Sequence, residues 1–189
     1  MAETKNGKII YTNGTEKEIE QGAEKIFPRE FIRRTDIAQV IFPASITDIG
    51  HRAFWGCKGL LHIEIPVGVK SIGMWAFSLC ESLEEVEIPE SVTEIGASVF
   101  GICSSLRCAT VRASAGEIST LCFHMCRSLE EISISKNVRK IGDYAFFGCH
   151  SLKNVFYEGT EGEWSKIIFG KENDAIRTAT VHYNCKLGG

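Results

Sequence analysis

The sequence predicts a right-handed solenoid, a β-rich stack of coils that is capped at both ends. Two observations support this prediction. First, five units of 23 residues follow one another as 38–60, 61–83, 84–106, 107–129 and 130–152, which we call coils one to five. Second, equivalent positions in these units hold the same apolar residue types. A unit of this size cannot bury its own apolar side, so neighbouring coils stack and share one core.

The repeated positions are those that a shared core requires. The aromatic position comprises Phe54, Phe77, Phe100, Phe123 and Phe146. The thiol position that follows it comprises Cys57, Cys80, Cys103, Cys126 and Cys149. The position that closes each coil comprises Leu60, Leu83, Leu106, Leu129 and Leu152.

Within a coil, the residue types also predict local structure. The segment EEVEIP, residues 84–89, alternates polar and apolar residues as a short strand does, and its proline ends the strand. One parallel β-strand per coil gives a sheet of about six to seven strands. Most coils continue with an Ile-Gly pair, and we expect glycine there because the bend favours positive φ. The AFxxC segment is too short for a full helix and predicts one helical or 3₁₀ turn.

The complete pattern, LxxVxIPxxVxxIGxxAFxxCxx, resembles the BspA-type leucine-rich repeat. The resemblance implies a leucine-rich-repeat solenoid that is not an enzyme, with one domain over residues 1–189. Its repeats are residues 38–152. Residues 1–37 form an N-terminal hairpin on an Asn13-Gly14 turn and a degenerate coil, and residues 153–189 form a C-terminal cap. Members of the resembled family are often surface proteins implicated in adhesion to host proteins.

Composition and charge restrict the class of partner. The chain is 44% hydrophobic and 24% charged, with a net charge of −3 and a pI of about 6.0. These values argue against nucleic acid or a membrane as the main partner. The N-terminal residues MAETKNGKII lack a signal-peptide pattern, which favours a cytoplasmic location. A surface or secreted location is expected instead if an upstream signal was removed.

The cysteines predict a buried, reduced ladder, because free cysteine packs as a small hydrophobe. Thiols on a line cannot surround one metal ion tetrahedrally. In the segment CFHMC, Cys122 falls at a small core position, Cys126 belongs to the ladder, and His124 is expected to face solvent. Cys108 lies outside the ladder and is expected to be the most reactive thiol.

Catalytic groups are equally scarce in the sequence. Cys149 and His150 are adjacent, but a nucleophile and its base must lie within hydrogen-bond reach, and adjacency in sequence does not ensure this. We therefore predict no catalytic residue, no metal ligand and no cofactor.

The outward positions of the strands are the remaining functional candidate, because side chains on a strand alternate between two faces. These positions comprise Gln39, Ile41, His62, Glu64, Glu85, Glu87, Cys108, Thr110, Glu131, Ser133, Asn154 and Phe156. Four of them are glutamates and none is Lys or Arg, so the face is mildly acidic. A solvated face and a partner-binding face both remain open. The arginines of the degenerate coil, Arg29, Arg33 and Arg34, are explained by a solvated end.

The preferred functional hypothesis is a monomeric, non-enzymatic protein-interaction module that binds a protein partner through the solenoid surface. One alternative is a secreted or surface adhesin that binds host extracellular proteins. The other alternative is a cryptic enzyme or metal-binding protein.

Coil four departs most from the pattern. Arg112 stands where earlier coils have proline, Ala115 replaces Ile or Val, and Ser119 replaces glycine. We therefore expect residues 112–119 to be the most irregular and mobile connection, with Ala115 as an underfilled valine site. Repeat drift and a loop that widens a groove for a ligand are the two explanations.

Overall fold

Seven turns of chain stack along one axis, and each turn contributes one short and one long strand. The computed structural model describes residues 7–20 and 22–187; the predicted domain also includes 1–6, Gln21 and 188–189, which lie outside the described residues. A hairpin of β1 (Lys8–Tyr11) and β2 (Glu16–Glu18) comes first. The strands of the turns follow in chain order as β3 (Lys25–Ile26), β4 (Ile37–Ile41), β5 (Asp48–Ile49), β6 (His62–Glu64), β7 (Ser71–Ile72), β8 (Glu85–Ile88), β9 (Glu94–Ile95), β10 (Cys108–Val111), β11 (Glu117–Ile118), β12 (Glu131–Ile134), β13 (Lys140–Ile141), β14 (Asn154–Tyr157), β15 (Ile168–Phe169) and β16 (Thr180–His182).

Neighbouring long strands, except β6 and β8, pair in parallel and in the register that the repeat predicts. Glu85 faces Cys108 across the β8–β10 pair. In β8, Val86 and Ile88 are buried, while Glu85 and Glu87 are exposed. The predicted solenoid and the orientation of its strands are therefore confirmed. The long strands form two sheets, β2-β1-β4-β6 and β8-β10-β12-β14-β16, and the short strands form β3-β5-β7-β9 and β11-β13-β15.

A column of phenylalanine rings runs through the core from Phe31 to Phe146. Neighbouring rings stack nearly parallel, with centroids 5.0 to 5.7 Å apart and interplanar angles of 6° to 19°. Each stacked pair contributes about 0.5–1.5 kcal/mol beyond the burial of its area. Phe31 belongs to the degenerate coil, so the core extends one layer beyond the five regular coils.

The AFxxC segment forms consecutive β-turns, so the prediction of a helical or 3₁₀ turn is wrong. In coil one, Ala53 N–H donates to Gly50 O at 3.2 Å and closes a turn. The next N–H, that of Phe54, donates to Ala76 O in coil two at 2.8 Å. Arg52 adopts a left-handed φ of 55° that directs the backbone this way. Alternate N–H groups therefore bond to the neighbouring coil, which a helix would not allow.

The glycine that follows most of the short strands is required by the close approach of the neighbouring coil, so the expectation that it provides positive φ is wrong. Gly73 does not have a positive φ. A Cβ at this position would lie 2.5 Å from the backbone nitrogen of His51 in coil one. Gly73 N–H donates to Ile49 O at 2.7 Å, and this bond holds the two backbones together.

Coil four loses this close approach because Ser119 stands at the glycine position. A Cβ does not fit at that distance, and β9 and β11 are not paired. In the part of the chain that the structure describes, no bond joins Ser119 N–H to Ile95 O; Ser119 Oγ donates to Gly96 O at 2.7 Å instead. A cleft of about 580 Å³ lies at this junction. Residues 112–119 are therefore an irregular connection, and that they are the most irregular and mobile one of the array stays a prediction.

In this connection Ala113 is more deeply buried than Ala115, which was predicted to take the core position. Ala113 is only 1% exposed, whereas Ala115 is partly exposed. In coil two, the equivalent of Ala113 is Val67, which is 84% exposed, and the equivalent of Ala115 is the buried Val69. Ala113 therefore turns into the core in place of Ala115. The prediction that Ala115 is an underfilled valine site is wrong.

The hairpin closes the N-terminal end of the stack. β1 pairs with β4 in the antiparallel direction and covers its edge, and Ile9 of β1 is buried in the core. The connection between β1 and β2 turns at Asn13-Gly14, where Gly14 has a φ of 82°. The hairpin predicted from the Asn-Gly pair is confirmed.

Two short helices, α1 (Glu161–Trp164) and α2 (Asp174–Thr178), lie in the segment that closes the other end. The buried side chain of Asn173 completes the closure. Its Oδ1 accepts a hydrogen bond from Phe146 N–H at 3.0 Å, and its Nδ2 donates to Gly142 O at 2.9 Å. In an inner coil the equivalent phenylalanine N–H donates to a backbone carbonyl of the next coil, as Phe54 does. The side chain of Asn173 therefore replaces the backbone of a further coil.

Replacement of Gly73 by alanine should lower the free energy of unfolding by about 3 kcal/mol, the upper range for overpacking, because its Cβ would meet immobile backbone. Gly162→Ala is the matched control, since the nearest atom to its Cβ is Thr160 Oγ1 at 4.0 Å. In α1 that change should be neutral or stabilise by up to about 1 kcal/mol. Urea denaturation measures both, and equal effects would contradict the close-approach explanation.

Replacement of Ser119 by glycine should let coil four approach coil three, because it removes the Cβ that separates them. The amide at position 119 would then pair with Ile95 O, and its hydrogen exchange should slow. Ser119→Ala is the control, since it removes the hydroxyl and keeps the Cβ, and should leave the exchange fast. Unchanged exchange in a folded Ser119→Gly variant would assign the cleft to another cause.

Candidate protein-binding face

The predicted face residues lie along the long strands, and their exposure varies along the stack. The exposed members are His62, Glu64, Glu85, Glu87 and Cys108. The half-buried members are Gln39, Ile41, Thr110, Glu131, Ser133, Asn154 and Phe156. The most exposed part of the face is therefore formed by β6, β8 and the beginning of β10.

A groove of about 590 Å³ lies in this exposed part, and we call it the acidic groove. It lies where β6 and β8 belong to different hydrogen-bonded sheets. Seven of the predicted face residues line it, namely Gln39, His62, Glu64, Glu85, Glu87, Cys108 and Thr110. The repeat pattern identified these residues, but it gave no indication of the gap between the strands.

Proline contributes to the gap between β6 and β8. In coil four, Arg112 directly follows the long strand β10, and its backbone N–H donates to Ile88 O of coil three at 2.9 Å. Pro89 takes this position in coil three and has no N–H to donate to coil two. Pro66 lacks the same donor in coil two, yet β4 and β6 remain paired. Proline alone therefore does not determine where the sheet opens, which is why sequence reasoning missed the groove.

The acidic groove has carboxylates at its rim and apolar side chains at its floor. Glu64, Glu85 and Glu87 supply the carboxylates, and Arg112 Nε lies 3.0 Å from Glu87 Oε1. The apolar lining comprises Ile63, Ile65, Val67, Val86 and Pro89. Val67 is 84% exposed, so apolar area is available to a partner. This combination fits a segment that carries basic and apolar residues together.

The C-terminal part of the predicted face is bonded within the molecule. Asn154 Nδ2 donates to Glu131 Oε1 at 3.3 Å, and His182 Nε2 lies 3.1 Å from Asn154 Oδ1. The His182 ring stacks on Phe156 with centroids 4.9 Å apart. Because His182 comes from the cap, its contact with the face was not visible in the repeat pattern. These residues are less available to a partner than those of the acidic groove.

The five ladder cysteines are buried and free, which confirms the prediction. Each thiol also donates to the carbonyl of the phenylalanine one coil earlier, as Cys80 Sγ does to Phe54 O at 3.3 Å and Cys126 Sγ to Phe100 O at 3.1 Å. Burial raises the pKa of Cys80 well above its usual value. The thiols are therefore neutral core groups that also join one coil to the next.

The CFHMC segment contains no assembled site. Cys122 is buried, and burial raises its pKa to about 12. His124 is half-buried, so the expectation that it faces solvent is wrong: its ring lies against Gly101, and its Nδ1 is 2.8 Å from Leu121 O. The structural reason is that Gly101 in the preceding coil leaves space for an imidazole ring.

The remaining candidate groups are dispersed. Cys149 is buried and its Sγ donates to Phe123 O, while His150 is exposed. Within residues 7–20 and 22–187, no three His, Cys, Asp or Glu side chains gather as metal ligands would, and no helix has the length and apolar character to cross a bilayer. Cys108 is exposed, as its predicted reactivity requires. Its pKa is nevertheless raised, first by partial burial of the thiol and then by the negative charge of Glu131. That Cys108 is the most reactive thiol therefore stays a prediction.

Comparison with known proteins identifies a matching family and several similar structures. The pattern of the BspA type leucine rich repeat region matches residues 24–153 in six copies. The leucine rich repeat protein of T. pallidum is 27% identical, and the match covers 68% of this chain and 71% of that chain with a TM-score of 0.51. No curated protein matches the sequence.

Two larger structures share the fold at lower identity. The pneumococcal vaccine antigen PcpA is 14% identical, and the match covers 95% of this chain and 48% of that chain with a TM-score of 0.65. A leucine-rich repeat protein from Eubacterium ventriosum is 16% identical, and the match covers 96% of this chain and 51% of that chain with a TM-score of 0.64. The chain thus spans about half the length of these two proteins.

The buried thiols should make the protein unstable at alkaline pH. Unfolded thiols ionise near pH ~8.5, whereas burial raises the native pKa of Cys57 and Cys122 to about 12. Each such thiol contributes stability that is fully present below pH ~8.5 and falls by about 1.4 kcal/mol per pH unit towards the native pKa. Urea unfolding between pH 7 and 11 measures the slope. Cys80→Ala should reduce it more than Cys108→Ala, and equal slopes would contradict the explanation.

Proposed function

Because the chain belongs to the BspA-type leucine-rich repeat family, whose members are generally protein-interaction or surface proteins, we propose that it binds a protein partner without catalysing a reaction. The observation that best supports this proposal is the acidic groove between β6 and β8. Solenoids bind partners over extended surfaces that successive repeats build together. The acidic groove is the most exposed part of such a surface here.

The chemistry of the acidic groove supports a partner segment that is basic and carries an apolar anchor. Carboxylates at the rim attract Lys and Arg and favour one orientation of the segment. The apolar floor and the exposed Val67 provide the contact area in which binding energy concentrates. No Lys or Arg is among the described residues that line the groove, although Arg112 pairs with Glu87 at its rim, so the charge of the lining favours a cation of the partner.

A second candidate function is adhesion to a host protein. It is supported by the fold that the chain shares with a pneumococcal protein described as a vaccine antigen. The same groove would serve this function, and only the identity of the partner would differ.

The test uses the full chain as an affinity bait for proteins of its source organism and for host extracellular proteins. The variant Glu64→Lys/Glu85→Lys reverses two rim charges of the groove. The matched control, Glu18→Lys/Glu94→Lys, makes the same charge change at exposed positions outside it. Each captured protein is then purified, and its affinity for the three chains is measured by calorimetry.

A partner of the acidic groove should bind the wild type and the control with similar affinity and the groove variant at least about tenfold more weakly, a loss of about 1.4 kcal/mol. A captured protein that binds all three chains equally would place its site elsewhere. The absence of any protein with the expected pattern would count against the proposal.

A further inference from the structure

Arginine and tryptophan side chains alternate along the turn segments of the degenerate coil and coils one and two. The guanidinium carbon of Arg33 lies 4.8 Å from the ring centre of Trp55. The guanidinium carbon of Arg52 lies 5.9 Å from the same ring and 4.3 Å from the ring centre of Trp75. The side chains therefore form a continuous stack in the order Arg33, Trp55, Arg52, Trp75. With the nearby Arg29 we call it the basic aromatic patch.

Hydrogen bonds between coils hold the backbone of this patch. Arg29 N–H donates to His51 O at 3.0 Å, Arg33 N–H donates to Trp55 O at 2.7 Å, and Arg52 N–H donates to Met74 O at 3.0 Å. The three arginines have left-handed φ values of 62°, 57° and 55°. Because the backbone is fixed, the patch is largely preorganised, which lowers the entropic cost of binding.

The positive charge of the patch is not neutralised within the described chain. Among residues 7–20 and 22–187, none of the ion pairs involves Arg29, Arg33 or Arg52. Arg52 Nε is buried and has no hydrogen-bond partner among the described residues. Burial lowers the pKa of His51, and the charges of Arg52 and Arg29 lower it further, as expected in a positive field.

The stack is confined to the N-terminal part of the solenoid. The positions equivalent to Trp55 in coils two and three hold Ser78 and Gly101. Both are buried in the same core arrangement, so the fold does not require a large aromatic residue there. The patch is therefore a local surface feature in a chain whose net charge is −3.

We propose that Arg29, Arg33, Arg52, Trp55 and Trp75 form a docking surface for an acidic segment of a protein partner. Guanidinium groups that stack on indole rings keep their N–H edges available for carboxylates. Arg and Trp are the residues in which interface binding energy concentrates. The negative net charge of the chain disfavours a long nucleic acid, whose binding depends on extended positive charge. The patch thus goes beyond the acidic groove and takes a partner of opposite charge.

The probe is a deca-glutamate peptide, and a deca-glutamine peptide is its uncharged match. The fluorescence of Trp55 and Trp75 reports binding, because the third tryptophan, Trp164, lies in the C-terminal cap. Deca-glutamate should produce a saturable change at low salt that weakens as salt is added. Arg33→Gln/Arg52→Gln should weaken binding at least about tenfold. Arg29→Gln, at an exposed position, should weaken it severalfold without affecting the fold.

The matched control is Arg177→Gln, which removes an arginine that stacks on Phe169 at 4.9 Å outside the patch. It should bind deca-glutamate with an affinity close to that of the wild type. The variant Glu64→Gln/Glu85→Gln, which removes two groove carboxylates without adding a basic group, should retain this binding, which separates this test from that of the acidic groove. The proposal is overturned if deca-glutamate gives no saturable change or binds no better than deca-glutamine. It is also overturned if the folded arginine variants bind equally well, or if a ten-nucleotide single-stranded DNA binds more tightly.

Discussion

Hydrogen bonding between coils fixes the distance at which the turns stack, and the rest of the structure depends on that distance. Phenylalanine rings in successive coils lie 5.0 to 5.7 Å apart because the backbones hold them there. The same distance brings Cys80 Sγ within reach of Phe54 O and leaves no room for a Cβ at Gly73. Where Ser119 prevents the approach, the short-strand sheet ends and a cleft opens. The recurrent phenylalanine, cysteine and glycine residues thus all depend on this one spacing between coils.

The sequence was sufficient to predict the solenoid and the orientation of its strands, because an apolar residue that recurs at one position can be satisfied only by a shared core. It could not separate two reasons for glycine, since a bend with positive φ and a close backbone approach both exclude other side chains at Gly73. It also could not distinguish Ala113 from Ala115, which are both small and apolar. For the candidate face, the pattern placed the residues, whereas the gap between β6 and β8 depends on which strands hydrogen-bond.

Surface and core use different positions of the same repeat, so the surface can vary while the core remains constant. The acidic groove lies on the long strands, and the basic aromatic patch lies on the turn segments. Neither the acidic groove nor the basic aromatic patch depends on a substitution at the phenylalanine, cysteine or leucine positions of the repeat. Contacts such as that between Arg52 and Trp75 join different coils, so they become recognisable only when the stacking order is known. This separation explains why a strong fold prediction gave weak information about binding.

The side chain of Asn173 has a consequence for how the stack of coils is closed. A stack of similar coils has no internal limit, because the last coil presents the same unpaired N–H and C=O groups that every earlier coil used to add its neighbour. An exposed end of this kind is a template for end-to-end growth into fibres. By bonding Phe146 N–H and Gly142 O with one amide, Asn173 satisfies these groups at the turn segment of coil five. At this position a further coil would therefore meet a side-chain amide in place of the backbone groups that join the inner coils.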